Sequence, residues 1–320
     1  MSYYPIVCIG AALVAVCATL PSVAADDAAP LSVTPGLRGI VPDGTKIEKL
    51  AGGFQFTEGP VWTREGFLLF SDIPNNVIRK WDPRTGQVSD YRNPSEHTNG
   101  NTLNPRGQLV CCEHTGRRVS VRAEDGTYRT IVDRYEGKRL NSPNDVVFKS
   151  DGAMYFTDPP YGLPKGDDDP AKELPHNGVY RFKDGKLTLL TTDLQRPNGL
   201  AFSPDEKTLY VANSDPARKL WMAYPVKADG TLEKGRVFFD VTSSTQPGLP
   251  DGMKVDRKGN LYCTGPGGVW VFVPSGKHLG TIKPAEVPAN CHWGDDGKTL
   301  YMTAQTGLYR VRLAVEGIRP

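Results

Sequence analysis

A short phrase returns six times along the chain at intervals of roughly 40 to 55 residues, a spacing typical of repeat architectures. Each copy has, at its first or second position, a residue bearing a side-chain carbonyl or carboxylate, then mostly small or apolar residues. The copies are Glu58-Gly59-Pro60-Val61-Trp62, Asn99-Gly100-Asn101-Thr102-Leu103, Pro143-Asn144-Asp145-Val146-Val147, Pro197-Asn198-Gly199-Leu200-Ala201, Pro250-Asp251-Gly252-Met253-Lys254 and Ala289-Asn290-Cys291-His292-Trp293. A polar turn and an aromatic-rich strand follow closely, as in Met154-Tyr155-Phe156, Leu209-Tyr210-Val211, Leu261-Tyr262-Cys263 and Leu300-Tyr301-Met302. A repeated unit of this size cannot bury its apolar faces alone and must pack against copies of itself. If the copies close into a ring, the oxygen-bearing residues converge on one axis.

The units begin near residues 58, 99, 143, 197, 250 and 290 and read as strand, turn, strand, turn, strand. In the first, Gly66–Asp72 and Val77–Asp82 are strands; in the third, Ala153–Asp158 and Gly178–Phe182 are. With 34 Gly and 27 Pro spread along 320 residues, the chain favours many short strands and tight turns over helices. The expectation is an all-β, six-bladed propeller over residues 45–315. A blade needs four strands, and the last unit has room for about three. Thr45–Leu50 supplies the missing one, so that the chain's start closes the ring against its end and removes exposed edges. A linear solenoid would need polar capping repeats, and none is evident.

Residues 1–25 read as a secretory signal: an apolar run from Ile6 ends in Ser22-Val23-Ala24-Ala25, ahead of Asp26-Asp27. Residues 26–44 form a Pro/Gly/Ala-rich lead-in. The expectation is therefore an exported protein, periplasmic or secreted, with no membrane attachment after cleavage. Apolar content of 38%, charged content of 23% and a formal net charge of +2 describe a soluble globular balance without the basic clustering of a nucleic-acid binder. Four cysteines remain beyond the leader: Cys111, Cys112, Cys263 and Cys291. They lack zinc-ligand spacing; an oxidising compartment allows one or two disulfides among them, and the other reading is small buried hydrophobes, with Cys111 and Cys112 pointing to opposite sides of one strand. A long connection, Tyr161–Asn177, interrupts the third unit and carries Gly166-Asp167-Asp168-Asp169-Pro170, read either as a solvated acidic loop or as a lid over the axis.

At the start of four inner strands stand Glu58, Asn144, Asn198 and Asp251. Two carboxylates and two amide carbonyls are hard oxygen donors suited to one divalent cation: Ca2+ first, with Mg2+, Mn2+ and Zn2+ as alternatives. Five histidines lie nearby in sequence or in turns; of these, His114 and His292 are the stronger candidates for substrate contact. Asn101, Glu113, Arg118 and Tyr161 complete a set of polar groups able to meet a polyol.

The segments Glu58-Gly59-Pro60, Ser142-Pro143-Asn144-Asp145, Arg196-Pro197-Asn198-Gly199 and Pro250-Asp251-Gly252-Met253 resemble, in order, the signature segments of the SMP-30/gluconolactonase family. The resemblance spans about residues 45–313. It implies a six-bladed propeller with one catalytic cation, usually calcium, at the top of the channel, and hydrolysis of sugar lactones or related esters. It implies metal binding by Glu58, Asn198 and Asp251, metal or substrate binding by Asn144, and Asp251 as the favoured general base, with Glu58 as the other carboxylate able to serve. Ser142 stands where some family members carry a substrate-contacting Arg. In the expected chemistry the cation polarises the lactone carbonyl while a carboxylate takes the proton of the attacking water. No Gly-x-Ser-x-Gly elbow supports a covalent serine route. Two rival readings are a calcium-dependent organophosphate or other ester hydrolase, and a non-catalytic ligand-binding propeller.

Overall fold

In the computed structural model, residues 29–30 and 35–319 are described. The proposed leader, residues 1–25, lies outside them. The chain forms six antiparallel blades, five of them four-stranded and built in sequence order from the axis outward. Blade I comprises Thr57–Trp62, Leu68–Asp72, Val77–Asp82 and Gln87–Arg92; blade II comprises Thr98–Leu103, Leu109–Glu113, Arg118–Arg122 and Tyr128–Val132. Blade III comprises Val146–Phe148, Met154–Asp158, Gly178–Lys183 and Lys186–Thr191; blade IV comprises Pro197–Phe202, Thr208–Asp215, Arg218–Pro225 and Arg236–Asp240. Blade V comprises Met253–Val255, Leu261–Gly265, Gly268–Phe272 and His278–Ile282. Blade VI takes Pro288–Gly294, Thr299–Ala304 and Gly307–Arg312, and its fourth strand is Lys46–Gly52 from the start of the chain. Neighbouring inner strands touch in a closed cycle from blade I through blade VI and back to I. The expected closure thus holds. Part of the lead-in goes further than expected: Ala29 and Pro30 pair with Ile47 and Lys46 as a fifth, outermost strand.

Six hydrophobic clusters hold the ring, one in each space between adjacent blades. Successive residues of a strand face opposite sides, so each second strand feeds two clusters. Tyr155 packs between blades III and IV while Phe156 packs between II and III. Tyr262 packs between V and VI and Cys263 between IV and V. Cys111 and Cys112 divide the same way, but both are buried, because both faces of a blade are covered. All four cysteines beyond the leader are buried free thiols. Burial pushes the Cys111 and Cys291 thiols up to about 12, so they stay protonated and inert.

The closing strand is welded by packing and by one carboxylate. Ile47 enters the cluster between blades V and VI, and Ala51 the cluster between VI and I. At the mouth end, Glu286 accepts from Lys49 Nζ at 2.8 Å, Tyr309 Oη at 2.6 Å, and the Thr306 N–H and Oγ1 at 2.7 Å each. Burial pushes the Glu286 carboxyl up, but these bonds outweigh it and hold it down to about 2.

Near the axis the seams are polar and tight. Ser71 Oγ donates to the Asn99 carbonyl at 2.7 Å, Thr264 Oγ1 to the Ala289 carbonyl at 2.7 Å, and Gly252 N to the same carbonyl at 2.8 Å. Glycine is required here by space. A Cβ on Gly252 would lie 2.0 Å from Asn290 Cγ, although this glycine's φ suits any residue. Gly59 meets both demands, with φ of 51° and the Asn99 carbonyl oxygen 2.1 Å from where a Cβ would sit.

Two outcomes are expected. Glu286→Gln loosens the closing strand and costs about 1 kcal/mol, small because the Lys49 pair is partly screened by water. A carboxylate with a lowered folded pKa stabilises above its ordinary value of 4.5 and loses that contribution as pH falls toward 2. Melting curves from pH 7 to 2 should therefore show the variant's deficit shrinking below pH 4.5; a deficit constant with pH would contradict the assignment. Gly252→Ala should cost about 1–3 kcal/mol by overpacking alone, read as a lowered denaturation midpoint in urea.

Candidate functional site at the channel mouth

The inner strands run in the same direction along the axis, so their first residues gather at one end. In blades I, II, IV and VI the ladder slips at this point, between Glu58 and Val61, Thr98 and Asn101, Pro197 and Leu200, and Pro288 and Asn290. Such bulges re-aim side chains at strand ends. In blades III and V backbone bonds extend past the regular strand: Asn144 N donates to Thr157 O at 2.9 Å and Asp251 N to Thr264 O at 3.0 Å. Each inner strand thereby delivers its opening residue to the mouth.

Glu58 is 3% exposed and is fixed by two donors to Oε2, the Gly59 N–H and Asn290 Nδ2, the latter at 2.9 Å. The Asp251 carboxyl lies within hydrogen-bonding reach of Glu58. Its Oδ1 is buried with no partner. A third carboxyl, Asp145, projects beside them; Oδ1 accepts from Val146 N at 2.9 Å and Oδ2 is buried without a partner. Burial and the Asp145 charge push the Glu58 carboxyl up to about 7, against the pull of Gly59, Asn290 and Lys254. Burial, then the Glu58 and Asp145 charges, push Asp251 well above the carboxylate range. Burial also raises Asp145, with Lys254 opposing it. Three acids this close do not all ionise without a cation among them.

The amides complete the ring. Asn144, 3% exposed, is immobilised through its backbone, which also accepts from Gly100 N at 2.8 Å. The loop before it hangs on Asp158, whose two oxygens accept from Asn141 N and Ser142 N at 2.8 Å each. Burial pushes Asp158 up to about 7 even so. Asn198 donates from Nδ2 to Ser214 Oγ at 2.9 Å, which turns its carbonyl oxygen toward other partners. Asn99 has a buried, unpartnered Oδ1 and lies 3.4 Å from His114 Nε2. Burial brings His114 down to about 4, so its imidazole is neutral near pH 7.

The long connection after blade III's second strand arches over this end. Ser142 Oγ donates to Pro159 O at 2.6 Å and accepts from Gly162 N at 2.8 Å, so Ser142 ties the connection down. Tyr161 is 42% exposed, with its hydroxyl reaching Asn198 and Ser214. The acidic run is not freely solvated: Asp167 accepts from Asn177 at 2.9 Å and pairs with Arg196 of the blade IV approach.

The other expected contacts are placed elsewhere. Glu113 is fully buried and spent on Arg92 at 2.9 Å, Arg118 at 2.5 Å and Ser120 at 2.6 Å, so Glu113 and Arg118 chiefly bind each other. Asn101 directs Nδ2 to the Gly59 carbonyl at 2.9 Å and to Ser71 Oγ at 2.8 Å, deeper in the channel. His292 lies two residues below Asn290 and lines a cavity at the far end of the channel. Asn99, Asn290 and Asp145 belong to the mouth and were missed. The repeat held the signal for the first two, since Asn99 and Asn290 stand in their copies of the phrase where Glu58 stands in its own.

Among the described residues no group of three or more His, Cys, Asp or Glu is arranged to hold a metal by itself. A cation at this mouth must draw on amide carbonyls as well as carboxylates. The residues fit that demand: Glu58 and Asp251 supply charge, Asn144 and Asn198 supply carbonyls, and the orphaned Asp251 Oδ1 lacks the partner a buried oxygen needs.

The family model described as the SMP-30/Gluconolactonase/LRE-like region matches residues 56–306. A protein of Zymomonas mobilis named Gluconolactonase is 41% identical, over 89% of this chain and 86% of its own. A solved gluconolactonase structure from Xanthomonas campestris superposes with a TM-score of 0.82 at 35% identity, covering 93% of this chain and 99% of that one. Diisopropyl-fluorophosphatase of Loligo vulgaris is 26% identical over 77% of this chain and 84% of its own. With its six blades and its matching residues, the chain belongs to the SMP-30/gluconolactonase/LRE-like family.

Proposed function

We propose that the channel mouth hydrolyses sugar lactones with the help of one divalent cation, calcium first, held by Glu58, Asn144, Asn198 and Asp251. The observation that carries the reading is the buried Glu58–Asp251 pair with its unpartnered Asp251 Oδ1. The two relatives named gluconolactonase support the substrate class. Bound here, a dication supplies Lewis acidity to the lactone carbonyl.

The chain's own residues do the rest. The Asp251 carboxylate is the acceptor for the proton of the attacking water, whose oxygen joins the carbonyl carbon as the ring C–O bond breaks. That proton passes on to the departing alkoxide, and the product is the open hydroxy acid. Glu58, held through Oε2 by the Gly59 N–H and Asn290, is the second carboxylate able to serve, through Oε1. Neutral His114 with Asn99, and the Tyr161 phenol, are positioned to meet lactone hydroxyls at the mouth. Glu113 and Arg118 contribute by stiffening the blade II side of the mouth rather than by contact.

The test is turnover of glucono-δ-lactone, a pentonolactone and an organophosphate triester by the wild-type chain, Asp251→Ala and Glu58→Gln. Lactone turnover by the wild type, lowered at least about a hundredfold in Asp251→Ala with the melting temperature kept, is expected. Turnover of the triester alone would move the reading to the chemistry named for the Loligo vulgaris relative. Lactone turnover unchanged by either substitution would overturn the assigned base. We further propose export; N-terminal sequencing of periplasmic or secreted protein should begin at Asp26, and a cytoplasmic chain that retains residues 1–25 would refute it.

A further inference from the structure

A cavity of about 390 Å3 opens at the other end of the channel from the carboxylates. The last residues of four inner strands border it, Leu103, Phe148, Phe202 and Val255. The chain's C-terminal segment crosses beside it, with Ile318 N donating to Val255 O at 3.0 Å. The walls are mainly apolar. Three polar groups face inward. Asn101 is 5% exposed, and with its Nδ2 engaged its Oδ1 is buried without a partner. His292 holds Nδ1 2.7 Å from the Trp293 carbonyl, which places the proton on Nδ1 and leaves Nε2 as a bare acceptor. The Trp62 N–H at 3.4 Å, which would need the opposite tautomer, is the weaker contact. Lys254 Nζ donates to the Met253 carbonyl at 3.0 Å and lies within salt-bridge distance of no carboxylate among the described residues, although its charge also acts on Asp145 and Glu58 toward the mouth.

An ammonium with spare donors, beside two acceptors with nothing to accept, selects the ligand chemistry. One positive charge takes a monoanion. Lys149 is paired with Glu206 at 3.1 Å, which cancels its charge, and Arg319 at the rim gives Nη1 to the Asp295 carbonyl at 2.5 Å, so part of the fork that a phosphate calls for is engaged. The acceptors call for a hydroxyl. The ammonium excludes a metal ion, and the apolar walls call for an apolar body.

We propose that this end of the channel is a second binding site, for a small hydroxycarboxylate with an apolar body. The carboxylate pairs with Lys254, the hydroxyl donates to Asn101 Oδ1 or His292 Nε2, and the body lies against Phe148, Phe202 and Ile318. The site does not depend on lactone hydrolysis at the mouth.

Calorimetric titration of the full chain with mandelate, phenylacetate and gluconate tests it. Mandelate should bind, and phenylacetate, which lacks the hydroxyl, should bind at least about tenfold more weakly. Gluconate, which lacks the apolar body, should also be weaker. Lys254→Gln should weaken mandelate at least about tenfold, whereas Asp251→Asn at the mouth should leave it unchanged. Ile318→Trp at the exposed rim should also weaken it, and stands in should Lys254→Gln fail to fold. Absence of mandelate binding, binding indifferent to both Lys254→Gln and Ile318→Trp, or binding abolished by Asp251→Asn would each overturn the proposal.

Discussion

Each blade carries two apolar faces, and neither can be buried without a neighbour. The six inter-blade clusters draw on alternate residues of the same second strands, so no single blade's core is complete until both adjoining blades are in place. At about 1.5–3 kcal/mol for each large side chain removed from water, that burial outweighs the thiols, hydroxyls and glycines at the seams. The ring must therefore close, and the strand Lys46–Gly52, with its Glu286 clasp, is what closes it. Helices have no part in this scheme; the described residues include only two single-turn 3-10 segments.

Closure has a chemical consequence. Six inner strands entering in one register place Glu58, Asn99, Asn144, Asn198, Asp251 and Asn290 around one axis, with Asp145 added where four of the other blades have glycine. Where that position is glycine, seam contacts leave almost no side-chain volume, as the Gly252–Asn290 approach makes plain. The outcome is a buried cluster of acids whose ionisation is suppressed. Such a cluster costs stability, and the hydrophobic spaces between blades offset it. At the far end the same strands finish in apolar residues, with Lys254 between the two ends of the channel. One channel thus has an acidic mouth and a cationic, largely apolar floor.

Much of this was legible in the sequence, for a physical reason. The repeat fixes which residues open each inner strand, and the count of strands in the last unit demands a partner from the chain's start. Glu58, Asn144, Asn198 and Asp251 could be read because they stand at matching positions. Direction and depth were harder. The bulges turn side chains in ways no periodicity reports, so Asn101 and His292, two residues past the mouth, were assigned to it although they lie below. Glu113 had the right chemistry for a sugar contact, but Arg92, Arg118 and Ser120 occupy both its oxygens. Asp145 was hidden because its register position belongs to glycine in four other copies. The long connection's Asp run looked solvated, yet Asp167 is tied to Arg196 and Asn177.

We propose that the buried acids at the mouth bind one cation. Calorimetric titration of chelated protein with Ca2+ tests it most directly, with the proton release on binding measured in buffers of different ionisation enthalpy. One ion per chain should bind near neutral pH with release of protons, because a cation lets the raised Glu58 and Asp251 carboxyls ionise. Glu58→Gln should weaken binding and reduce that release. No saturable binding of Ca2+, Mg2+, Mn2+ or Zn2+, or binding that ignores Glu58→Gln, would contradict the account.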